Sequence, residues 1–85
     1  MAGIPITYDP DTINAEEHGA LDARRELFLN AFGNQSLYWM ATGSAANRQF
    51  FAYPYSDRTQ PVGCVTPSDL DKPDSVLRND LAGRQ

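Results

Sequence analysis

His18 is the only histidine of the chain, and Glu16, Glu17 and Asp22 lie within four residues of it. On a helix, His18 and Asp22 share a face, because residues four apart stand one above the other. The pair offers two metal ligands or an acid–base couple, yet a structural zinc takes four ligands, usually Cys and His. Glu16 and Glu17 have a simpler role, since acids in the first turn of a helix interact favourably with its dipole. Cys64 sits in Val62-Gly63-Cys64-Val65, the surroundings of a small buried hydrophobe rather than of an activated thiolate. Asp9-Pro10-Asp11-Thr12-Ile13-Asn14 opens like a calcium loop, with acids at i and i+2. It then lacks an oxygen at Ile13 and the glycine that must follow. Gly43-Ser44 carries no Gly-Lys-Ser/Thr, and Ser44, Ser56, Ser68 and Ser75 occupy turn or cap contexts with one histidine to serve them all. The expectation is a protein that is not an enzyme, with no catalytic residue, no metal and no cofactor.

Nucleic acid is the next partner to weigh. Arg48 and Arg58 bracket an aromatic stretch, and aromatics on a sheet can stack bases. The glycine–aromatic signature of an RNA-recognition strand is absent, and the formal charge of −4 and pI of about 4.6 oppose a polyanion. Mimicry of nucleic acid asks for a denser acidic surface than eleven Asp and Glu in 85 residues. No direct nucleic-acid partner is expected.

The elements that position these residues follow from local signals. Ile4 to Tyr8 alternates like a strand, with Pro5 confining it to a sheet edge. Residues 1–13 form an extended N-terminal segment ending in the turn chemistry of Asp9-Pro10-Asp11. Asn14 followed by Glu17 is a capping box, so a helix is predicted over 15–32, closed by Gly33-Asn34. Two β-rich runs, Ser36–Thr42 and Arg48–Tyr55, flank a small-residue segment and predict an antiparallel hairpin over 36–55. A short strand within 61–66 lies between Pro61 and Pro67. Thr66-Pro67-Ser68-Asp69 reads as a helix start that Pro73 interrupts, and a short helix over 73–82 should turn Val76, Leu77 and Leu81 inward. The fold class is α+β: a single small domain over 1–85, with one capped helix on a hairpin-based antiparallel sheet of two to four strands.

The length, 85 residues, suits one core rather than two, and twenty Ile, Leu, Val, Phe, Met and Trp residues suffice to build it. One cysteine excludes a disulfide-stapled secreted scaffold. No apolar run approaches the ~20 residues of a membrane span, and MAGIPITYDP lacks a signal peptide's basic flank and apolar stretch. A cytoplasmic location without membrane contact is expected, in a host cell if the protein is viral.

The faces of these elements carry the functional reading. At 100° per residue, Ala20, Leu21, Ala23, Leu27, Phe28, Ala31 and Phe32 form one apolar arc of the helix. Arg24 falls inside it, where its stem can lie along apolar surface, or where it serves as a partner anchor or half of a buried ion pair. A loop of two or four residues centred on Ala45-Ala46 pairs positions summing to 91. Leu37, Trp39, Ala41, Phe50 and Ala52 then face the helix, while Tyr38, Met40, Phe51, Tyr53 and Tyr55 face away. A three-residue loop would mix the two sets, and a one-residue slip exchanges faces, so the segregated register is preferred. Tyrosine with methionine is the composition of contact surfaces. The competing expectation is that the C-terminal segment, Val62 to Leu81, covers this outer face as part of a three-layer core.

Between Gln35 and Ser68 only Arg48, Asp57 and Arg58 are charged, whereas Asp9–Glu17 and Asp69–Asp80 each hold four acids. Six of the seven basic residues are Arg, which favours contacts but also follows from codon bias. The functional expectation is a non-catalytic module binding another protein or protein complex through Tyr38, Met40, Phe51, Tyr53 and Tyr55, with Arg24 or Arg48 as anchors. An inhibitor of a host complex, encoded by a phage or mobile element, is one setting. The alternatives are a structural subunit of an assembly such as a virion, homo-oligomerisation, and, weakest, a small enzyme using His18. No family motif is present.

Overall fold

The first helix begins at Asn14 as its capping box predicts. The Asn14 side chain accepts the Glu17 N–H at 2.8 Å, and the Glu17 carboxylate accepts the Asn14 N–H at 3.1 Å. In the computed structural model, which describes residues 3–83, this helix does not continue to Phe32. It stops as α1 (Ala15–Asp22), and α2 (Arg25–Ala31) follows a bend at Ala23–Arg24. The Arg24 N–H reaches the Leu21 carbonyl at 3.2 Å, a tightened last turn, and Arg24 takes φ −116°, ψ 29°.

The break corrects the predicted apolar arc, because one azimuth cannot be carried through a bend. Ala20 and Ala23 are exposed, and Leu29, absent from the arc, is fully buried. Leu27, Phe28 and Leu29 can all be buried because α2 lies between the sheet and a C-terminal helix, α4 (Asp74–Gly83). The stop after Phe32 is as predicted: Gly33 and Asn34 both take left-handed φ, 91° and 53°. The Asn34 N–H returns to the Leu29 carbonyl at 2.7 Å, the reach of a Schellman cap.

Four strands form one sheet in the order β1 (Ile6–Tyr8), β2 (Leu37–Thr42), β3 (Gln49–Pro54), β4 (Gly63–Val65). β1 holds an edge, as Pro5 requires, but runs parallel to β2, so the sheet is mixed rather than wholly antiparallel. The helical crossover through α1 and α2 supplies the long connection that parallel neighbours need. β2 and β3 pair in the register summing to 91, Trp39 opposite Ala52 and Met40 opposite Phe51. Pairing ends at Thr42–Gln49, so the connection spans 43–48 and contains a 3₁₀ turn at Ala45–Asn47, wider than expected on the same centre. β4 adds antiparallel to β3, with Cys64 opposite Phe51.

Helices cover one side of this sheet. Leu21, Leu27, Phe28, Leu29, Leu77 and Leu81 join Leu37, Trp39, Ala41, Phe50, Ala52 and Val65 in one buried cluster. Trp39 meets Phe28 and Phe32 edge-on, with ring centroids 5.2 and 6.2 Å apart. Gly63 is required here: a Cβ on it would sit 2.2 Å from the Phe32 ring. The chain then forms a short helix, α3 (Pro67–Leu70), capped by Thr66 as predicted, before α4. Val76 departs from its predicted inward position and is 44% exposed, because α4 meets the core along Leu77 and Leu81 alone. None of the described helices is long and apolar enough to cross a membrane.

Candidate interaction surface

Alternation along the paired strands decides which side chains share the sheet's other face. β2 contributes Tyr38, Met40 and Thr42, and β3 contributes Gln49, Phe51 and Tyr53. β1 adds Thr7, level with Tyr38, and β4 adds Cys64, level with Phe51. Tyr55 follows β3, its N–H donating to the Ser36 carbonyl at 3.0 Å, and it is half exposed. None of these side chains belongs to the buried cluster. None of them is Asp, Glu, Lys, Arg or His.

The predicted alternative, a cover supplied by Val62–Leu81, is not what this segment does. Leu77 and Leu81 are buried on the helix side, α4 packs on α2, and Arg24 holds the α3–α4 connection there. Tyr38, Met40, Phe51 and Tyr53 are half-buried. Phe51 and Tyr53 contact edge-on along β3, with centroids 6.5 Å apart.

A charged side chain reaches this face from outside the strands. Arg58, in the β3–β4 connection, places its guanidinium carbon 3.8 Å from the Tyr38 ring centroid and 4.9 Å from that of Tyr55. A cation over an aromatic ring is drawn to the ring's negative face. The neighbouring Asp57 does not pair with it. Its carboxylate accepts the Thr59 hydroxyl at 2.6 Å and the Thr59 N–H at 3.1 Å, which holds its pKa below the usual range. Arg58, Cys64 and Thr7 are the members of the face that sequence reasoning missed. Thr7 and Cys64 follow from alternation once β1 and β4 are paired, but no local signal says where a loop arginine will fold.

Arg24 and Arg48, the two predicted anchors, lie elsewhere and are engaged within the chain. Arg24 donates to the Asp69 and Lys72 carbonyls at 3.3 and 2.7 Å and pairs with Asp74 at 3.2 Å. It thereby ties the bend between α1 and α2 to the turn between α3 and α4. Arg48 clasps both carboxylate oxygens of Glu17, at 2.8 and 3.0 Å, and donates to the Gly43 and Thr12 carbonyls. Its hydrogen bonds hold the Glu17 carboxyl below the ordinary glutamate range, and Glu17 raises the Arg48 guanidinium in return.

The chemistry around His18 separates in the same way. His18 stacks on Tyr8, with ring centroids 3.9 Å apart, beside a groove of about 510 Å³ lined by Ile6, Pro10, Ile13 and Asn14. Asp22 accepts the Tyr8 hydroxyl at 3.3 Å, while Glu17 belongs to Arg48. Burial, then the Asp22 carboxylate, push the Tyr8 phenol well above the usual tyrosine range. Glu17 is thus drawn away to Arg48, while His18 and Asp22 both meet Tyr8, one at its ring and the other at its hydroxyl. Among the described residues, no group of three or more His, Cys, Asp or Glu is placed to hold a metal ion. No protein-family model, no curated protein and no solved structure matches the chain.

Proposed function

We propose that this protein is a non-catalytic binding module that engages another protein through the outer face of its sheet, at Tyr38, Met40, Phe51, Tyr53 and Tyr55. One observation carries the reading: the described α-helices give their buried apolar side chains to the cluster on the opposite side, leaving a tyrosine-, phenylalanine- and methionine-bearing face outside it. Aromatic and methionine side chains are the enriched residues of protein interfaces, and contiguous apolar patches on small proteins mark binding sites. Arg24 and Arg48 are left out of the surface because each is engaged inside the fold. Inhibition of a host protein complex by a phage- or mobile-element-encoded protein is the setting we attach to it, on size and composition.

The test is affinity capture from the native context, comparing the wild type with a Phe51→Ala/Tyr53→Ala double variant. A partner retained at about 1:1 by the wild type and lost by a still-folded double variant supports the reading. Unfolding of the double variant would make the face part of the core and end it. Recovery only within a large particle on sizing assigns an assembly subunit instead. A biological effect abolished by His18→Ala but indifferent to the double variant would move the function to the groove beside Tyr8.

A further inference from the structure

We propose that the outer face takes a short protein segment carrying a carboxylate among apolar residues, and that Arg58 reads the carboxylate. The inference rests on the reading of this face as a binding surface and names what it binds.

Charge is the first argument. None of the strand positions of the face is Asp, Glu, Lys, Arg or His, and among the described residues Arg58 is the one charged side chain placed over it. The guanidinium rests between Tyr38 and Tyr55, and among the described residues it makes no hydrogen bond or ion pair. Asp57, the acid beside it, is already satisfied by Thr59. A guanidinium held against rings keeps its planar fork of N–H donors available, and that fork matches a carboxylate bidentately. Part of the ordering of the long side chain has then been met before the partner arrives.

Size is the second. Strands about 4.8 Å apart, with about 3.4 Å per residue along them, make this face about 20 Å long over the six-residue β2 and β3 and only about 10 Å long over the three-residue β1 and β4. A globular complex usually buries about 800 Å² on each side, more than such a patch offers. A single extended or helical segment fits it, with apolar side chains over Met40 and Phe51 and its acid at Arg58.

Other occupants fit less well. Nucleic acid would meet one cation on this face and a protein of net charge −4 behind it. A second copy, face to face, would bring uncharged strands and another guanidinium rather than a carboxylate to Arg58.

The experiment selects random displayed peptides on immobilised full-length protein, then titrates the resynthesised peptides by fluorescence anisotropy. The expected peptides carry Asp or Glu flanked by apolar residues. Their affinity falls about ten- to a hundredfold with Arg58→Gln or with amidation of the peptide's acid, the range of a charge-assisted hydrogen bond. Arg58→Lys, which keeps the charge without the fork, falls in between, Arg78→Gln is silent, and thermal melts of the Arg58 and Arg78 variants match the wild type. Peptides that lose affinity with Phe51→Ala but not with Arg58→Gln overturn the carboxylate assignment and leave the face intact. Peptides indifferent to both, or no selected peptide, overturn the face as well. A labelled oligouridylate that displaces the peptides, or a dimer in sedimentation that Phe51→Ala dissolves, gives the face to nucleic acid or to a second copy and also overturns the proposal.

Discussion

Glu17 serves two partners at once: its carboxylate accepts the Asn14 N–H that starts α1 and both the Nε and Nη2 donors of Arg48, 31 residues away. A helix cap and a hairpin loop therefore share one charge. Glu17→Gln removes the charge but not the cap's acceptor, and should cost roughly 1 kcal/mol, discounted for partial exposure. Chemical denaturation at neutral pH measures it. The Glu17 pKa is depressed in the fold, so its contribution is complete above the unfolded value of ~4.3 and is lost as pH falls toward the folded one. Wild type and Glu17→Gln should converge in stability in acid.

Tyr8 behaves oppositely. Its phenol is raised in the fold, so the stability it contributes is complete below the unfolded value of ~10 and is lost as pH rises above it. In an ultraviolet titration Tyr8 should give a late ionisation step, and Tyr8→Phe should remove it.

Gly63→Ala should destabilise by about 1–3 kcal/mol, the cost of overpacking, because the new methyl meets a Phe32 ring already packed on Phe28 and Trp39. Pairing it with Phe32→Leu should recover part of the loss. Additive costs in that double variant would contradict the close approach.

Arg24→Ala should cost about 1–2 kcal/mol, the loss of charged donors to two carbonyls that then lack them. Hydrogen exchange should report it locally, with α4 amides losing protection before those of β2 and β3. Equal loss throughout would mean that Arg24 does not tie α4 in place.

Neighbours on one strand provide the sharpest comparison. Phe50 is 1% exposed in the core, so Phe50→Ala should cost about 3–5 kcal/mol. Phe51→Ala, on the outer face, should cost about 1 kcal/mol, the scale of a cross-strand pair. Equal costs would place Phe51 under cover.

Much of this architecture is legible in local pattern. The Asn14–Glu17 cap, the Gly33-Asn34 stop and the hairpin register are decided by groups a few residues apart or by strict two-residue alternation, so neighbouring residues suffice to read them. The same alternation placed Tyr38, Met40, Phe51 and Tyr53 on one face and Trp39 and Phe50 on the other. Predicted as one helix, 15–32 contains a bend because Arg24 is drawn to carbonyls more than forty residues away, which no local propensity encodes.

By itself, then, the chain's sequence determined the α+β class, the register and which side chains share a face, because backbone geometry sets those periods. Only the tertiary structure decided that β1 runs parallel to β2, that α4 packs on α2 rather than over the tyrosines, and that Arg58 rests on Tyr38. Each of those depends on packing between distant segments. The tyrosine-bearing face lies outside the buried cluster because the last helix found its apolar partners on the other side, where Leu77 and Leu81 complete the cluster around Phe28.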